Sequence, residues 1–369
     1  MAEDALGIAG EPLEGEQAAR IRVGFIGCGS HSYRNIFPAF QFAPINLVAT
    51  CDTDPERARR FARAFGAGRW YTDHIEMLSE ESLDAVFIVT NYDHEGRPRY
   101  PGLARDCLMA GCHVWIEKPP AGSTDEIRAM QEVCEDTDRF VMVGFKKCFF
   151  PAIQHLKRII QQAEFGAPTN VTIRYPQRIP AEQEKTNLKN GRLRGFLDHI
   201  VHPGSILQYL IGPVASLVYQ RSSSGGGVAL LTFRNGVVGS VHFAHGQSGT
   251  SPLERVEVVG QGANAVVENG VKLTYYRRGH RGEGGYGRSP DFIGKMDQAP
   301  LVWEPEYSLG QLYNKGLFML GYAGEVRYFA ECVLDDRSPD ICSLNDALEI
   351  MKVYEAFLQP ANQVIDLPV

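Results

Sequence analysis

The chain has 369 residues, 44% of them hydrophobic, which is enough for two or three domains and excludes a largely disordered or collagen-like protein. Its 37 Lys and Arg against 44 Asp and Glu give a net charge of -7, so nucleic acid and anionic membranes are poor expected partners. The eight cysteines form no C-x-x-C pair, and we therefore expect reduced thiols, no metal site and a cytoplasmic protein.

Residues 1–20 carry five acidic residues and one Arg, without a cationic start or a long apolar run. This composition indicates a disordered leader rather than a signal peptide. No later stretch has the length of uncharged apolar sequence that a membrane span needs, which predicts a soluble protein. We expect two domains after the leader, over 21–145 and 146–369.

From residue 21 short apolar runs alternate with segments of helical periodicity. The apolar runs are IRVGFIG, NLVATC, LDAVFIV, CHVWI and FVMVGF, and the helical segments are 34–42, 55–64, 99–110 and 123–137. Continuous apolar runs between helices are typical of a parallel sheet buried on both faces. The first domain is therefore predicted to be a doubly wound α/β, Rossmann-type domain.

After residue 145 strand-like segments follow one another closely, with hairpin breaks such as Arg234-Asn235-Gly236-Val237. This predicts an α+β domain with a large, mostly antiparallel open sheet. Residues 277–316 are rich in Gly, Arg and Tyr and suggest a long loop, either disordered or folded over a site. Helical spacing returns over 317–335 and 343–358, where Ser343 and Asp346 mark an N-terminus, and these helices are expected to pack back on the first domain.

The first strand runs into Gly27-Cys28-Gly29-Ser30-His31-Ser32, a G-x-G-x-x-S motif followed by a helical segment. The first glycine permits a tight turn, the second lets a pyrophosphate approach the backbone, and the helix N-terminus offers amide donors. We expect Gly27, Gly29, Ser30 and His31 to contact a dinucleotide. Ser32 stands in place of the third glycine of the usual motif, which suggests that the helix packs slightly further from the strand. An ordinary turn is the alternative, because the motif alone is weak.

Asp52 ends the second strand, where a carboxylate accepts hydrogen bonds from the adenosine ribose. A carboxylate at this place repels a 2′-phosphate, so NAD is favoured over NADP. The alternative is that Asp52 caps the helix at Pro55, which Asp54 could do equally well.

The strand CHVWI ends in Glu117-Lys118-Pro119-Pro120. Ligands of open parallel sheets bind beyond the carboxyl ends of the strands, so Lys118 is expected at the reacting end of the dinucleotide. Pro119 restricts the backbone there and could form a cis peptide bond. Thr90 and Asn91, after the strand LDAVFIV, are further expected cofactor contacts. A solvated surface lysine is the alternative for Lys118.

At this point the sequence resembles the Gfo/Idh/MocA family, named for glucose-fructose oxidoreductase, inositol dehydrogenase and a rhizopine-catabolism protein. The resemblance covers about 21–360 and rests on GCGSHS, CDTDPERARRFA, AGCHVWIEKPPA, VGFKKCFFPA, GFLDHIVHPGSILQYLIG and the closing helix pair. It implies a Rossmann domain, a second α/β domain with an open sheet, NAD(P)-dependent redox chemistry on sugars or cyclitols, and a homodimer or homotetramer.

Asp198 and His202 match the Asp and His that inositol-dehydrogenase-like members use beside the lysine of Glu-Lys-Pro. A spacing of four puts both on one helical face. Because proline is tolerated only in a helix's first turn, Pro203 predicts that the helix starts near 199–202. His202 would then lie at a positive dipole end that keeps it neutral. A capping Asp and a core His are the alternative.

Several positions depart from the family pattern. Lys146 and Lys147 stand where members usually carry Asn or Arg, and we expect them to contact substrate oxygens. His199 is an extra histidine that the family pattern does not require; it is expected to contact substrate, and a simple capping role is the alternative. Cys148 replaces a common Arg. The loop TNYDHEGRPRY is about five residues longer than usual, so the customary His corresponds either to His94 or to Tyr100.

The resulting hypothesis is reversible oxidation of a secondary alcohol on a sugar, glycoside or cyclitol, with NAD as hydride acceptor. His202 would be the general base, Asp198 would orient it or bind a neighbouring hydroxyl, and Lys118 would polarise the reacting oxygen. Two alternatives stay open: a glycosidase or epimerase that recycles tightly bound NAD, and a non-catalytic NAD-binding scaffold.

Overall fold

The computed structural model describes residues 19–278, 299–305 and 315–368. The predicted leader, apart from residues 19 and 20, and most of the 277–316 loop lie outside the described residues. One described piece of that loop, Leu301–Trp303, is a strand. All eight cysteines lie in described ranges and are free thiols.

The predicted parallel sheet of the first domain is confirmed. Within the described residues it has six strands in the order β3-β2-β1-β4-β5-β6. Their bounds are β1 Ile21–Ile26, β2 Ile45–Cys51, β3 Arg69–Tyr71, β4 Ala85–Ile88, β5 His113–Glu117 and β6 Val141–Gly144. This is the Rossmann order, in which successive strands are added to one side of β1 and then, from β4 onward, to its other side. The ligand crevice of such sheets lies between β1 and β4, beyond the strands' carboxyl ends.

Four helices of this domain follow strands. They are α1 Pro55–Phe65, α2 His74–Glu80, α3 Tyr100–Met109 and α4 Thr124–Thr137. Asp54 caps α1 by accepting hydrogen bonds from the amides of Glu56 and Arg57, and Ser123 caps α4. The segment after the glycine motif is a π-helical turn, Ser32–Ile36, continued by a 3-10 helix, Phe37–Phe42, rather than a regular α-helix.

The second sheet is also confirmed as mostly antiparallel. In the described part of the chain it has nine strands in the order β14-β13-β12-β11-β7-β10-β9-β8-β15, with only β7 and β10 parallel. The bounds are β7 Asn170–Tyr175, β8 Val214–Arg221, β9 Gly227–Phe233, β10 Val238–Phe243, β11 Arg255–Val259, β12 Asn264–Glu268, β13 Lys272–Tyr276, β14 Leu301–Trp303 and β15 Ile365–Asp366. Helix α5, Pro151–Ile160, packs on β12 and β13.

Helix α6 spans Gly191–Leu210 and corrects the predicted start near 199–202. Asn190 is its N-cap, and Pro203 lies in its interior. The proline removes one backbone donor. Residues 200–207 are all buried, so apolar packing against neighbouring helix and sheet offsets that loss. No helix of the described chain is long and apolar enough to cross a membrane.

The chain closes with α7 Lys315–Met319, α8 Tyr322–Leu334 and α9 Leu344–Ala356. Ser343 caps α9 by accepting a hydrogen bond from the amide of Asp346, whose carboxylate accepts from the amide of Ser343, as the sequence predicts. Phe329 of α8 contacts the rings of Phe87 and Phe140 in the first domain. Helix α9 contacts α4 and β6 of the first domain and α6 and β8 of the second, so the last helices pack on both domains.

Candidate active site

The glycine loop after β1 has the geometry that its sequence predicts. Gly27 has a φ of 102°, and a side chain there would meet the carbonyl oxygen of Val89 at 1.9 Å. Nothing lies within 4 Å of the side-chain position of Gly29. Ser32 donates a hydrogen bond to the carbonyl oxygen of Gly27 at 2.6 Å, so the serine ties the helical segment to the loop.

Asp52 is joined to the glycine loop. Its Oδ2 accepts a hydrogen bond from the amide of Cys28 at 2.7 Å, and its Oδ1 accepts one from the amide of Asp54 at 2.9 Å. The helix cap is Asp54, so the alternative role of capping α1 does not belong to Asp52. Each carboxylate oxygen keeps a second lone pair for another donor.

A cleft of about 1850 Å³ lies at the carboxyl end of the parallel sheet. Asp198 of the second domain lines it. Every predicted cofactor residue also lines it, namely Gly27, Gly29, Ser30, His31, Asp52, Thr90, Asn91, Glu117 and Lys118. Thr90 Oγ1 is buried there and has no hydrogen-bond partner in the described chain. The open space above Gly29 and this unsatisfied hydroxyl fit a dinucleotide, which supplies phosphate oxygens and polar ribose and amide groups.

Glu117 connects the glycine loop with Lys118. Its Oε1 accepts a hydrogen bond from Nε2 of His31 at 2.7 Å, and its Oε2 accepts one from the amide of Lys118 at 2.9 Å. Burial favours a higher pKa for Glu117, but the His31 hydrogen bond and the Lys118 charge hold its pKa below the usual value. The carboxylate therefore stays charged and fixes the backbone at Lys118, where the Lys118–Pro119 peptide is cis.

The amine of Lys118 meets the second domain at Asp198. Its Nζ lies 3.6 Å from Asp198 Oδ1 and 3.5 Å from the carbonyl oxygen of Asp198. The hydroxyl of Tyr92 donates a hydrogen bond to the same Oδ1. Burial, followed by the Asp198 charge, raises the pKa of Tyr92, which therefore remains a donor at neutral pH. Lys118, Asp198 and Tyr92 form one polar cluster at the edge of the cleft.

The sequence does not single out Tyr92. It lies in the long loop after β4 and makes an isolated bridge with Pro98, and its hydroxyl reaches Asp198 of α6. The only sequence signal is the length of that loop. Of the two candidates for the customary His, Tyr100 lines the cleft and donates to the carbonyl oxygen of Thr90 at 3.0 Å, whereas the side chain of His94 is 87% exposed.

His202 lies one helical turn after Asp198 and is buried. Burial, and then the charges of Lys147, Lys118 and Lys146, lower the pKa of His202 well below its ordinary value. The imidazole is therefore neutral, as predicted, but not because of a helix dipole, since α6 begins at Gly191. Its Nδ1 has no partner among the described residues. His202 does not line the cleft directly.

The three predicted substrate contacts lie around His202 rather than along the cleft. Lys146 Nζ donates to the hydroxyl of Tyr322 at 2.8 Å, and Lys147 is buried and paired with Glu254. His199 is exposed, and its ring centroid is 6.3 Å from that of His202. Their contact with a substrate stays a prediction.

The sequence comparisons agree on one family. The model of the oxidoreductase family Gfo/Idh/MocA, with an NAD-binding Rossmann fold, matches residues 21–145, and that of the Gfo/Idh/MocA C-terminal domain matches residues 153–266. D-Apiose dehydrogenase of Paraburkholderia graminis is 29% identical over 229 residues, 60% of this chain and 60% of that protein. scyllo-Inositol 2-dehydrogenase (NAD+) of Bacillus subtilis is 25% identical over 355 residues, 90% of this chain and 91% of that protein.

The fold comparison extends over nearly the whole chain. An oxidoreductase from Agrobacterium radiobacter, solved with NAD+, L-tartaric acid and magnesium, has a TM-score of 0.74 and 17% identity, covering 95% of this chain and 99% of that chain. The shared architecture, with the two family matches, accounts for both sheets and the cleft between them. The chain belongs to the Gfo/Idh/MocA family of oxidoreductases.

Proposed function

We propose that the protein is an NAD-dependent dehydrogenase that reversibly oxidises a secondary hydroxyl of a sugar, glycoside or cyclitol. The observation that carries this proposal is the polar cluster at the cleft edge, where Lys118 Nζ lies 3.6 Å from Asp198 Oδ1. It places an ammonium and a carboxylate from two domains beside a cleft that fits a dinucleotide. Relatives named apiose and scyllo-inositol dehydrogenase support the substrate class.

The residues for the cofactor are those of the cleft. The loop at Gly27 and Gly29 would hold the pyrophosphate, Asp52 the adenosine ribose, and Thr90 with Asn91 the nicotinamide end. Ser30 and His31 begin the helical segment whose amides face that loop. NAD, when bound, accepts a hydride from the substrate carbon. Asp52 favours NAD over NADP because its carboxylate repels a 2′-phosphate.

Chain residues would move the proton and hold the oxygen. Lys118 polarises the reacting oxygen as negative charge develops on it, and Asp198 binds a neighbouring hydroxyl or orients the base. His202 takes the hydroxyl proton, for which it must be neutral, and its lowered pKa meets that condition. Because His202 is only 7% exposed, this role requires substrate to reach past Asp198 along α6.

The direct test is to add NAD and members of a polyol, sugar and cyclitol panel to the purified protein and to follow NADH absorbance. A dehydrogenase produces free NADH in step with the oxidised product. An enzyme that recycles its cofactor converts substrate without steady-state NADH, and a binding scaffold retains NAD without converting anything. Either of those results would overturn the proposal.

A further inference from the structure

We propose that the substrate carries an anionic group, a carboxylate or a phosphate, which Arg99 and Arg194 bind at the rim of the cleft. This inference rests on the proposed dehydrogenase function and narrows its substrate class. It starts from two basic segments, 97–99 of the loop after β4 and 185–194 before and within α6, which come from different domains.

The two segments meet at the edge of the cleft. At Gly96, with a φ of 80°, a side chain would lie 2.3 Å from the carbonyl oxygen of Leu188, so the loop packs directly on the chain leading into α6. Lys189 Nζ pairs with Glu95 Oε2 at 2.7 Å across the same contact. The loop and the start of α6 therefore form one rim, which we call the basic rim: Glu95–Arg99 and Leu188–Arg194.

Most cations of the basic rim are already paired. Arg97 Nε lies 3.2 Å from Asp93 Oδ2, Lys189 pairs with Glu95, and Arg192 pairs with Glu184. These pairs hold the rim together, and their charges are offset. They leave little of their positive charge for a ligand.

Arg99 and Arg194 are different. Arg99 Nε donates to the carbonyl oxygen of Tyr92 at 3.3 Å, and the guanidinium of Arg194 lies 5.2 Å from the centre of the Tyr92 ring. Within the described chain neither guanidinium forms an ion pair with a carboxylate. Both flank Tyr92, whose hydroxyl binds Asp198 beside Lys118. Two guanidinium groups without a carboxylate partner in the described residues thus contact the residue whose hydroxyl binds Asp198.

The nearby carboxylates have other partners. Asp198 is engaged by Lys118 and Tyr92, Asp93 by Arg97, and Glu126 accepts the amide of Gly122 at 2.7 Å. Arg99 itself lines the cleft and precedes the first residue of α3, whose positive end adds to the same field. A guanidinium that has no carboxylate partner keeps its charge available for an anionic ligand.

Guanidinium groups bind carboxylate and phosphate through two parallel hydrogen bonds, whereas a neutral polyol offers them no charge. Loss of one charged hydrogen bond typically weakens binding by about ten- to a hundredfold. The acidic member of a matched pair of substrates should therefore have a kcat/KM at least about tenfold higher than its neutral parent. That preference should shrink as ionic strength rises.

The test compares three pairs with NAD: D-glucuronate and D-glucose, D-galacturonate and D-galactose, and myo-inositol 1-phosphate and myo-inositol. Arg99→Gln and Arg194→Gln should each lower kcat/KM much more for the acidic members than for the neutral members and so remove most of the acidic preference. Arg194→Lys, which keeps a positive charge over the Tyr92 ring, should retain part of the acidic preference. Arg105→Gln, an exposed arginine of α3 outside the cleft, should leave all rates unchanged. Preference for the phosphate pair alone would identify phosphate as the group.

The outcomes separate this inference from the function on which it rests. If neutral members have the same kcat/KM as acidic members, and the arginine variants do not change it, the inference is overturned. The proposed dehydrogenase function is unaffected by that result. If no pair yields NADH, calorimetric titration of D-glucuronate and myo-inositol 1-phosphate into the protein with NADH tests binding itself. Binding that is lost in both arginine variants supports the inference that the basic rim binds the anionic group. Absence of binding to the unmodified protein overturns that inference.

Discussion

At the scale of single residues, one carboxylate oxygen organises the candidate site. Asp198 Oδ1 accepts a hydrogen bond from the hydroxyl of Tyr92 and lies near the amine of Lys118, so side chains of both domains meet at this oxygen. Lys118 is in turn fixed through its backbone by Glu117, which also holds His31 of the glycine loop. The lysine is thereby held by contacts with both domains.

Lys118→Ala should lower kcat by about 10²- to 10⁴-fold, because the developing negative charge on the oxygen loses its cation. The Kd for NADH, measured by fluorescence titration, should change little, since the glycine loop and Asp52 remain. Lys272→Ala, which removes a partly exposed lysine of β13 that pairs with Glu304, is the matched control. Turnover that survives in Lys118→Ala would remove the lysine from the mechanism.

Asp52→Ser should shift cofactor preference toward NADP. The substitution removes the charge that repels a 2′-phosphate but leaves a hydroxyl to accept from the Cys28 amide. We expect the ratio of kcat/KM for NAD to that for NADP to fall by about tenfold or more. Asp54→Ser, at the helix cap, controls for loss of charge two residues away. An unchanged ratio would show that Asp52 does not discriminate between the cofactors.

At the scale of elements, β5 delivers the site residues at its carboxyl end and carries a buried histidine at its other end. His113 is 8% exposed, and its Nδ1 accepts a hydrogen bond from the amide of Phe140. Burial, followed by the charge of Arg139, lowers the pKa of His113 to about 4. The unfolded chain therefore binds a proton here at a higher pH than the folded protein does.

This difference makes the fold acid-sensitive in a defined window. The contribution of His113 to the free energy of unfolding should be fully present above about pH 6.5. It should fall by up to about 3 kcal/mol as the pH drops toward about 4. Urea unfolding at pH 7 and pH 4.5 measures it. His113→Asn, which keeps an acceptor for Phe140, should reduce the loss, whereas the exposed His94→Asn should not. Equal acid sensitivity in His113→Asn would contradict the assignment.

The elements also show how far local sequence carries a prediction. Strands β1, β2 and β4–β6 of the first sheet and β7–β13 of the second follow from apolar runs, and Gly27, Asp52 and Lys118 follow from their places at strand ends. The start of α6 was wrong because the rule for Pro203 is local, whereas burial of residues 200–207 is a tertiary effect. Tyr92 was missed because its contact with Asp198 joins segments 106 residues apart. Strand β3 was missed because it has three residues, two of them exposed.

At the scale of the whole molecule, one face of the second sheet has no cover from this chain in the described structure. Leu230, Val238 and Val364 are 58%, 53% and 70% exposed, and a shallow groove of about 570 Å³ runs among them. Apolar side chains on an open sheet face are typical of a subunit interface. We expect a homodimer or homotetramer formed through this face.

Light scattering after size exclusion should therefore give a multiple of the chain mass of 40.9 kDa. Leu230→Asp places a charge in the middle of the face and should shift the population toward 40.9 kDa. Met109→Asp, at an equally exposed apolar residue of α3, should leave the assembly unchanged. A monomeric unmodified protein would contradict the expected interface.

The proposed reaction moves a hydride from a carbinol carbon to NAD beside Lys118. It is tested most directly with the best substrate of the panel, deuterated at the carbon that is oxidised. Mass spectrometry of the cofactor after turnover should find one deuterium in the reduced nicotinamide and none in the water. Deuterium that stays on the released product or exchanges into solvent, with the cofactor unlabelled, would contradict the account.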